Sequence, residues 1–302
     1  MNKKVLALYF TQTGQLQDIV ENFTIPFKEN PEVDLEVVRI YPEDDYPFPW
    51  SGKRFFEAMP DSVLGNPQKL KPSEFNQPKY DLVVFAHQPW FLSPSIPATS
   101  ILKNEKVKAI LNDTPVVTLI GARNMWLNSQ EKVKKLLQDS SAKLVGNIAL
   151  IDRANNLASA VGIVYWLIGG KKERYLGIFP KPGVSDEDIQ STATYGDMVL
   201  KKLLTGDLAS LQADLVRAKA LEVKPNIMFI ESKAGRLFMI WATFISSRPN
   251  RGAWLVVFKY YLFFALFIVS PIVLLLNIIL IRPFNSKSRK AKKNYYLGLN
   301  KG

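Results

Sequence analysis

Short apolar runs alternate with longer amphipathic stretches through the first half of the chain. Residues 5–10 (VLALYF), 80–86 (YDLVVFA), 115–121 (PVVTLIG) and 143–151 (KLVGNIALI) are nearly unbroken apolar segments that stop at polar or turn residues. That is the pattern of strands buried on both faces of a sheet. A further strand is predicted at 35–40 from Leu35, Val37, Val38 and Ile40. Between them, Leu16, Ile19, Val20 and Phe23 recur at helical intervals, and 127–138 is amphipathic. Residues 186–204 follow Ser185, a natural N-cap, with Asp186, Glu187 and Asp188 in the positive first turn. Another helix is predicted at 207–221. Five strands alternating with helices predict an α/β fold with a parallel sheet covered on both faces. The stretch 41–76 is rich in proline and aromatics, among them Tyr46, Phe48, Trp50, Phe55 and Phe56. It is expected to be a long excursion over a site, with a short helix near 53–59.

The last third follows another pattern. Residues 260–281 form a run of 22 without a formal charge, between Lys259 and Arg282. As a straight helix this run would measure roughly 33 Å, enough to cross a bilayer core; a buried globular helix is the alternative. Pro271, at its middle, can break it into two pieces that dip into the bilayer and return, and a re-entrant or in-plane arrangement is expected over a single span. That arrangement keeps both basic flanks on anionic lipid. Residues 157–168 (LASAVGIVYWLI) are apolar but too short to span. Residues 227–245 mix Phe229, Leu237, Phe238, Ile240 and Trp241 with Lys233 and Arg236, as an interfacial helix does. Both are expected to form a hydrophobic cradle for a substrate with alkyl chains, or else to pack on the sheet. The expected division is 1–205 for the sheet domain and 206–302 for a helical membrane-associated extension, anchored through 254–302.

Charge fits this division. Of the net +12, seven charges fall in 282–302 (Arg282, Lys287, Arg289, Lys290, Lys292, Lys293, Lys301), which has no acid, leaving +5 for the rest. A basic tail directly after a greasy segment points to a lipid surface rather than to nucleic acid. There is no cysteine, which removes disulfides, thiol nucleophiles and zinc-thiolate sites; no metal is expected. The opening apolar run is too short for a signal-peptide core, so the sheet domain is expected at the cytoplasmic face of the membrane.

The main chemical signal lies between the first strand and the first helix, at Thr11-Gln12-Thr13-Gly14-Gln15. Hydroxyls and successive backbone N–H groups at a helix N-terminus make a nest for a phosphate without any lysine or arginine. A plain strand-turn-helix connection explains the same string. The third strand ends in Ala86-His87-Gln88-Pro89-Trp90-Phe91 and the fourth in Gly121-Ala122-Arg123-Asn124-Met125-Trp126.

The opening resembles the flavodoxin superfamily, whose phosphate loop reads T/S-x-T-G-x-T. Here Leu16 stands in place of the last threonine, so one hydroxyl is missing. The resemblance implies a flavodoxin-like five-stranded parallel sheet in the order 2-1-3-4-5, with a hydrophobic helical C-terminal extension. It also implies FMN, bound at the switch point by Thr11 to Leu16 and by the loops after the third and fourth strands. Gln88-Pro89-Trp90 is similar to the ring-binding loop of flavodoxin-like NAD(P)H:quinone reductases. Trp90 and Phe91 would then lie by the ring, Asn124 would bond its polar edge, and Arg123 would stabilise negative charge on the reduced flavin. Gly121, Ala122, Met125 and Trp126 would complete the loop. Packing is the alternative role for both tryptophans. His87, the single histidine, is either an acid/base beside the ring or a packed residue.

Further strings resemble the flavodoxin-like proteins of dialkylresorcinol biosynthesis, the DarA family. They are Tyr46-Pro47-Phe48-Pro49-Trp50, Phe55-Phe56-Glu57-Ala58-Met59-Pro60, Val63-Leu64-Gly65, Ala122-Arg123-Asn124-Met125-Trp126 and Leu144-Val145-Gly146-Asn147-Ile148. This implies an enzyme that aromatises a dialkyl cyclohexane-1,3-dione supplied by a ketosynthase-type condensing enzyme. Two rival expectations share the flavin site: a membrane-associated quinone reductase and a non-catalytic flavin electron carrier. Quinone-reductase relatives commonly pair, so a homodimer is expected by analogy.

Overall fold

The computed structural model describes residues 2–281 and 285–299. Arg282 and Lys301, two of the tail cations, lie outside the described residues. The sheet has β1 (Lys3–Tyr9), β2 (Val33–Arg39), β3 (Leu82–His87), β4 (Pro115–Ala122) and β5 (Lys143–Ile151), in the order β2-β1-β3-β4-β5 and parallel throughout. This is the flavodoxin-like order, with its switch point beside β1.

Strand alternation divides the core in two. Val5, Ala7 and Tyr9 of β1, with Val84 and Ala86 of β3, pack under α1 (Gln15–Glu29). Leu6, Leu8, Val83 and Phe85 face the other way. That second side is covered by α2 (Gly52–Leu64), then by α3 (Ile96–Lys103) and α4 (Glu105–Leu111), which periodicity had not marked, and by α5 (Leu127–Asp139). After β5 comes α6 (Asn156–Gly169). The helix expected over 186–204 is two pieces, α7 (Asp186–Gln190) and α8 (Thr192–Thr205), and the next, α9 (Leu211–Arg217), is shorter than expected.

The apolar third forms an antiparallel hairpin of helices. The outgoing arm is α10 (Pro225–Ser246). The returning arm runs from α11 (Arg251–Phe264) through a π-helical turn (Ala265–Val269) and α12 (Ser270–Leu276) to a second π turn (Asn277–Ile281). Pro271 therefore does not split this arm in two, as the sequence suggested. A proline ring clashes with the carbonyl four residues back and offers no N–H, and a π turn directly before it widens the ladder at that point. Phe258 and Leu255 of α11 bury against Phe56, Met59 and Val63 of α2 and Ala242 and Ile245 of α10. Fully burying one such side chain is worth roughly 1.5–3 kcal/mol.

Two further contacts weld the hairpin to the sheet domain. The Glu231 carboxylate accepts the Asn128 N–H at 2.8 Å, capping α5, which no side chain of its own caps. One turn on, a Cβ at Gly235 would lie 2.5 Å from Asn128 Nδ2, so a side chain there would push that amide from the Glu231 carbonyl to which it donates. Beyond the hairpin, α13 (Ser286–Leu297) turns back onto the same domain. Tyr295 donates to Glu131 of α5 at 2.5 Å, and Gln212 of α9 donates to the Leu297 carbonyl at 2.7 Å.

Candidate functional site

Three loops converge at the carboxyl end of the sheet. After β1 the chain reaches α1 through Gly14, whose φ of 87° lies in the left-handed region that glycine adopts without strain. Gly14, the N-cap of α1, has no side chain to cap the N–H groups that follow it, which leaves a positive helix end suited to an anion. Thr11 is buried, and its Oγ1 has no hydrogen-bond partner. An unmet buried hydroxyl costs about 1–3 kcal/mol, and a ligand oxygen at this turn would remove that cost. Thr13 Oγ1 accepts the Gln15 N–H at 3.4 Å, and Gln12 leans to the Pro47 carbonyl at 3.5 Å.

Two side chains of this loop are otherwise engaged. The Gln15 amide donates to the Val184 carbonyl and accepts the Val184 N–H, each at 3.2 Å, so it ties the 183–184 turn to the loop. Leu16 is buried, and a Cβ at Gly121 would lie 3.2 Å from its Cδ1. Of these two residues only the backbone can serve a phosphate.

After β3, Pro89–Trp90 pairs with Ser93–Pro94 in a small antiparallel ladder, with Phe91 and Leu92 at positive φ (47° and 62°). Non-glycine residues are held there only where surrounding structure over-determines them. Ser62 supplies part of that restraint by bonding to the Trp90 and Pro94 carbonyls. Trp90 is largely packed, its ring 4.8 Å from Tyr46 and 4.9 Å from Trp50. After β4, Arg123 is half-buried; burial draws its pKa down to about 10 against the pull of Asp152 and Glu231, so it stays cationic at neutral pH. Asn124 is buried. Trp126 is 2% exposed and belongs to the core, the packing role held open for it above.

His87 does not face these loops. It shares strand parity with Phe85, stacks on it at 5.6 Å, and pairs through Nε2 with Gln130 Oε1 at 3.3 Å, 1% exposed. Gln130 in turn donates to Thr118 at 2.9 Å. Burial pushes the imidazole pKa down to about 4. A buried ring on the sheet's second face fits the packed role, the alternative held open for His87 above.

Two cavities adjoin the loops. The smaller, about 120 Å³, is bounded by Gln12, Thr13, Gln15 and Leu16, by Gln88 to Trp90 and by Gly121 to Arg123. Ile163, Trp166 and Leu167 of α6 and Gly183 roof it. Sequence periodicity had shown α6 as an apolar segment but not as a roof. The larger, about 270 Å³, is lined by Phe91, Met125 and Arg123 and walled by α6, α10 and the returning arm. Both share Pro89, Arg123 and Ile163 as a common wall. Small-molecule pockets run on the order of 300–1,000 Å³. The cradle has room for a phosphoryl group, whereas a whole tricyclic ring is larger than this cavity, whose far wall is Ile163, Trp166 and Leu167 of α6. Among the described residues no cluster of three or more metal-ligating side chains occurs.

No protein-family model matches the chain, and no curated protein does. Solved structures that align with it include a flavoprotein in complex with FMN from Lactobacillus acidophilus NCFM, at 15% identity over 49% of this chain and 93% of that one, TM-score 0.40. A flavodoxin from the domain Archaea aligns at 9% identity over 67% and 99%, TM-score 0.37. The two-electron reduced Megasphaera elsdenii flavodoxin aligns at 12% identity over 55% and 99%, TM-score 0.30. At such values these alignments add nothing to the strand order and loop geometry already described.

Proposed function

We propose that this chain is an FMN-dependent oxidoreductase that works on a lipophilic cyclic dione at a membrane surface, oxidising a dialkyl cyclohexane-1,3-dione to a dialkylresorcinol. The observation that carries the redox reading is the cradle: a helix end whose N-cap is a left-handed glycine without a side chain, and the unmet Thr11 hydroxyl at the switch point of the sheet. Thr11, Thr13 and the N–H groups after Gly14 hold the phosphoryl end. Pro89, Trp90 and the 121–123 turn would hold the ring. Bound flavin supplies a two-electron acceptor. Arg123, the one charged side chain common to both cavities, holds the enolate oxygen of the dione. A 1,3-dione is already acidic, so its proton can pass to water, and no protein base is demanded of the buried His87. A condensing enzyme supplies the dione, and a second copy of this chain is its partner by analogy with quinone reductases.

The membrane part of the reading rests on the hairpin. The arm Arg251–Leu280 is the one helix among the described residues long and apolar enough to cross a bilayer, and 6% of its most apolar window is buried. Phe258, Ser270 and Asn277 face the protein, while Tyr260, Phe264, Ile268, Ile272, Leu275 and Ile279 face out. Both of its flanks, α10 and α13, dock on the same domain. A helix held so at both ends lies along one leaflet rather than through it.

Absorbance and stopped-flow mixing test the redox reading. Purified protein should bind FMN with a flavin spectrum and quench Trp166, and the dione should bleach the flavin anaerobically. Gly14→Val should abolish binding, because valine at a φ of 87° is strained. Bleaching by NADPH but not by the dione would transfer the reading to quinone reduction, and retained FMN in the Gly14 variant would sink it.

A further inference from the structure

The larger cavity has a feature that neither the cradle nor the sheet requires. Part of its wall is the membrane-facing arm itself: Ala265 and Leu266, in the π turn, and Ser270. A π turn gives up regular helical hydrogen bonding and recurs at functional sites, and this one lies where the arm meets the cavity. Alanines occupy three of the walls, Ala160 on α6, Ala234 on α10 and Ala265 on the arm. Larger side chains there would fill the space. Arg123, at the wall shared with the cradle, is the one charge among the described lining residues.

We propose that this chamber binds the alkyl chain of a membrane-dissolved substrate and receives it laterally from the leaflet, with Ala160, Ala234 and Ala265 making the room for it. A polar ligand would forfeit hydrogen bonds against such walls, so the occupant is hydrocarbon. At about 270 Å³ the chamber is smaller than a pocket for a whole drug-sized ligand, so it takes one chain while the polar head remains at Arg123. Each methylene drawn into water costs about 0.8 kcal/mol. A path between the arm and α6 avoids that cost, since the outer side of the arm is already apolar and exposed. The inference rests on the redox reading only for where the head group lies; the chain site stands on the cavity alone.

The test compares methyl and hexyl homologues of a cyclohexane-1,3-dione, bound to the full chain in lipid nanodiscs and referred to the free aqueous concentration. Binding is read with and without FMN. Full transfer of five methylenes, at about fourfold each, is worth about a thousandfold, and the wild-type protein should prefer the hexyl homologue by at least about a hundredfold. Ala234→Phe should cut this preference below tenfold, and the milder Ala265→Leu should lie between; the thermal midpoint of each variant reports its fold. Equal affinities in the wild-type protein, or a preference that both variants leave intact, would overturn the proposal, as would a co-purified phospholipid that the hexyl homologue fails to displace. Chain preference in colourless protein would keep the chamber and sink the flavin reading. Flavin binding without chain preference would do the reverse.

Discussion

The sheet domain and the helical hairpin are built from similar apolar residues facing opposite ways. In β1 and β3, Val5, Leu6, Val83, Val84 and Phe85 are wholly buried. In the returning arm, Ile272, Leu275 and Ile279 are more than half exposed. The same transfer energy acts in both regions, about 25 cal/mol per Å² of apolar surface. It drives one region inward away from water and leaves the other with an apolar face that water disfavours. Large exposed apolar patches on a protein mark interaction surfaces. The polar residues of the arm reverse in the same sense: Ser270 and Asn277 are the buried ones. Hydrophobicity alone therefore says where a residue prefers not to be, and the neighbouring element decides which direction that is.

That contrast fails at once if the arm crosses the bilayer, which gives the largest, all-or-none test. The chain has no native cysteine, so single substitutions can be labelled without background. Glu187→Cys on the sheet domain and Lys290→Cys on α13, both exposed, should react with a membrane-impermeant maleimide from the same side of sealed vesicles. Labelling from opposite sides would show a spanning helix and a displaced α13.

A smaller effect measures how firmly the two regions are joined. Glu231 is fully buried, and burial raises its pKa from an ordinary 4.5 to about 8, against the Asn128 and Leu127 N–H groups and Arg123. The folded protein thus holds a proton that the unfolded chain releases. Stability from this group is complete below pH 4.5 and is lost as pH rises through 8. His87 has the opposite sign: its pKa falls from 6.5 to about 4, so its contribution is lost as pH falls through that window. The two oppose each other below pH 6.5, and between 6.5 and 8 Glu231 acts alone. Unfolding free energy should drop there by about 2 kcal/mol, at 1.36 kcal/mol per pH unit per proton. Glu231→Gln should flatten the slope, and a variant with the wild-type slope would remove Glu231 as its cause.

This weld also marks the limit of what the sequence makes legible. Four of the five strands are readable because each is a nearly continuous apolar run, β2 (VDLEVVR) through its spaced valines and leucine, and the cradle because a threonine-glycine turn follows the first of them. The facing of His87 is not readable: parity places it with Phe85, but no local signal says which helices cover that face. The roof over the cradle escapes for the same reason, since 157–168 is equally apolar whether it meets lipid or lines the cavity above the loops. Glu231 did leave a trace. It is the lone acid in the 22 residues of α10, with Gly235 one turn further on. An isolated acid followed by a glycine in an apolar helix signals a close, capped contact, although its partner comes from 103 positions away.

The smallest predicted effect separates the two regions at a single atom. Thr11 Oγ1 is buried without a partner in the described structure, whereas the polar groups of the hairpin contact, Asn128 N–H and Nδ2, are met by Glu231. Thr11→Val keeps the shape and removes the hydroxyl. Loss of a paired hydroxyl would cost about 1 kcal/mol of stability, but deleting an unpaired one is neutral or favourable. The unfolding free energy of the FMN-free variant should therefore stay level or rise slightly. A hydrogen bond to a charged phosphoryl oxygen is worth about 1.5–3 kcal/mol, so the Kd for FMN should rise by roughly tenfold or more. Titration of flavin fluorescence reads the second quantity and chemical denaturation the first. A variant that loses stability while binding FMN as tightly as before would place the hydroxyl in the architecture of the sheet, not in the cradle.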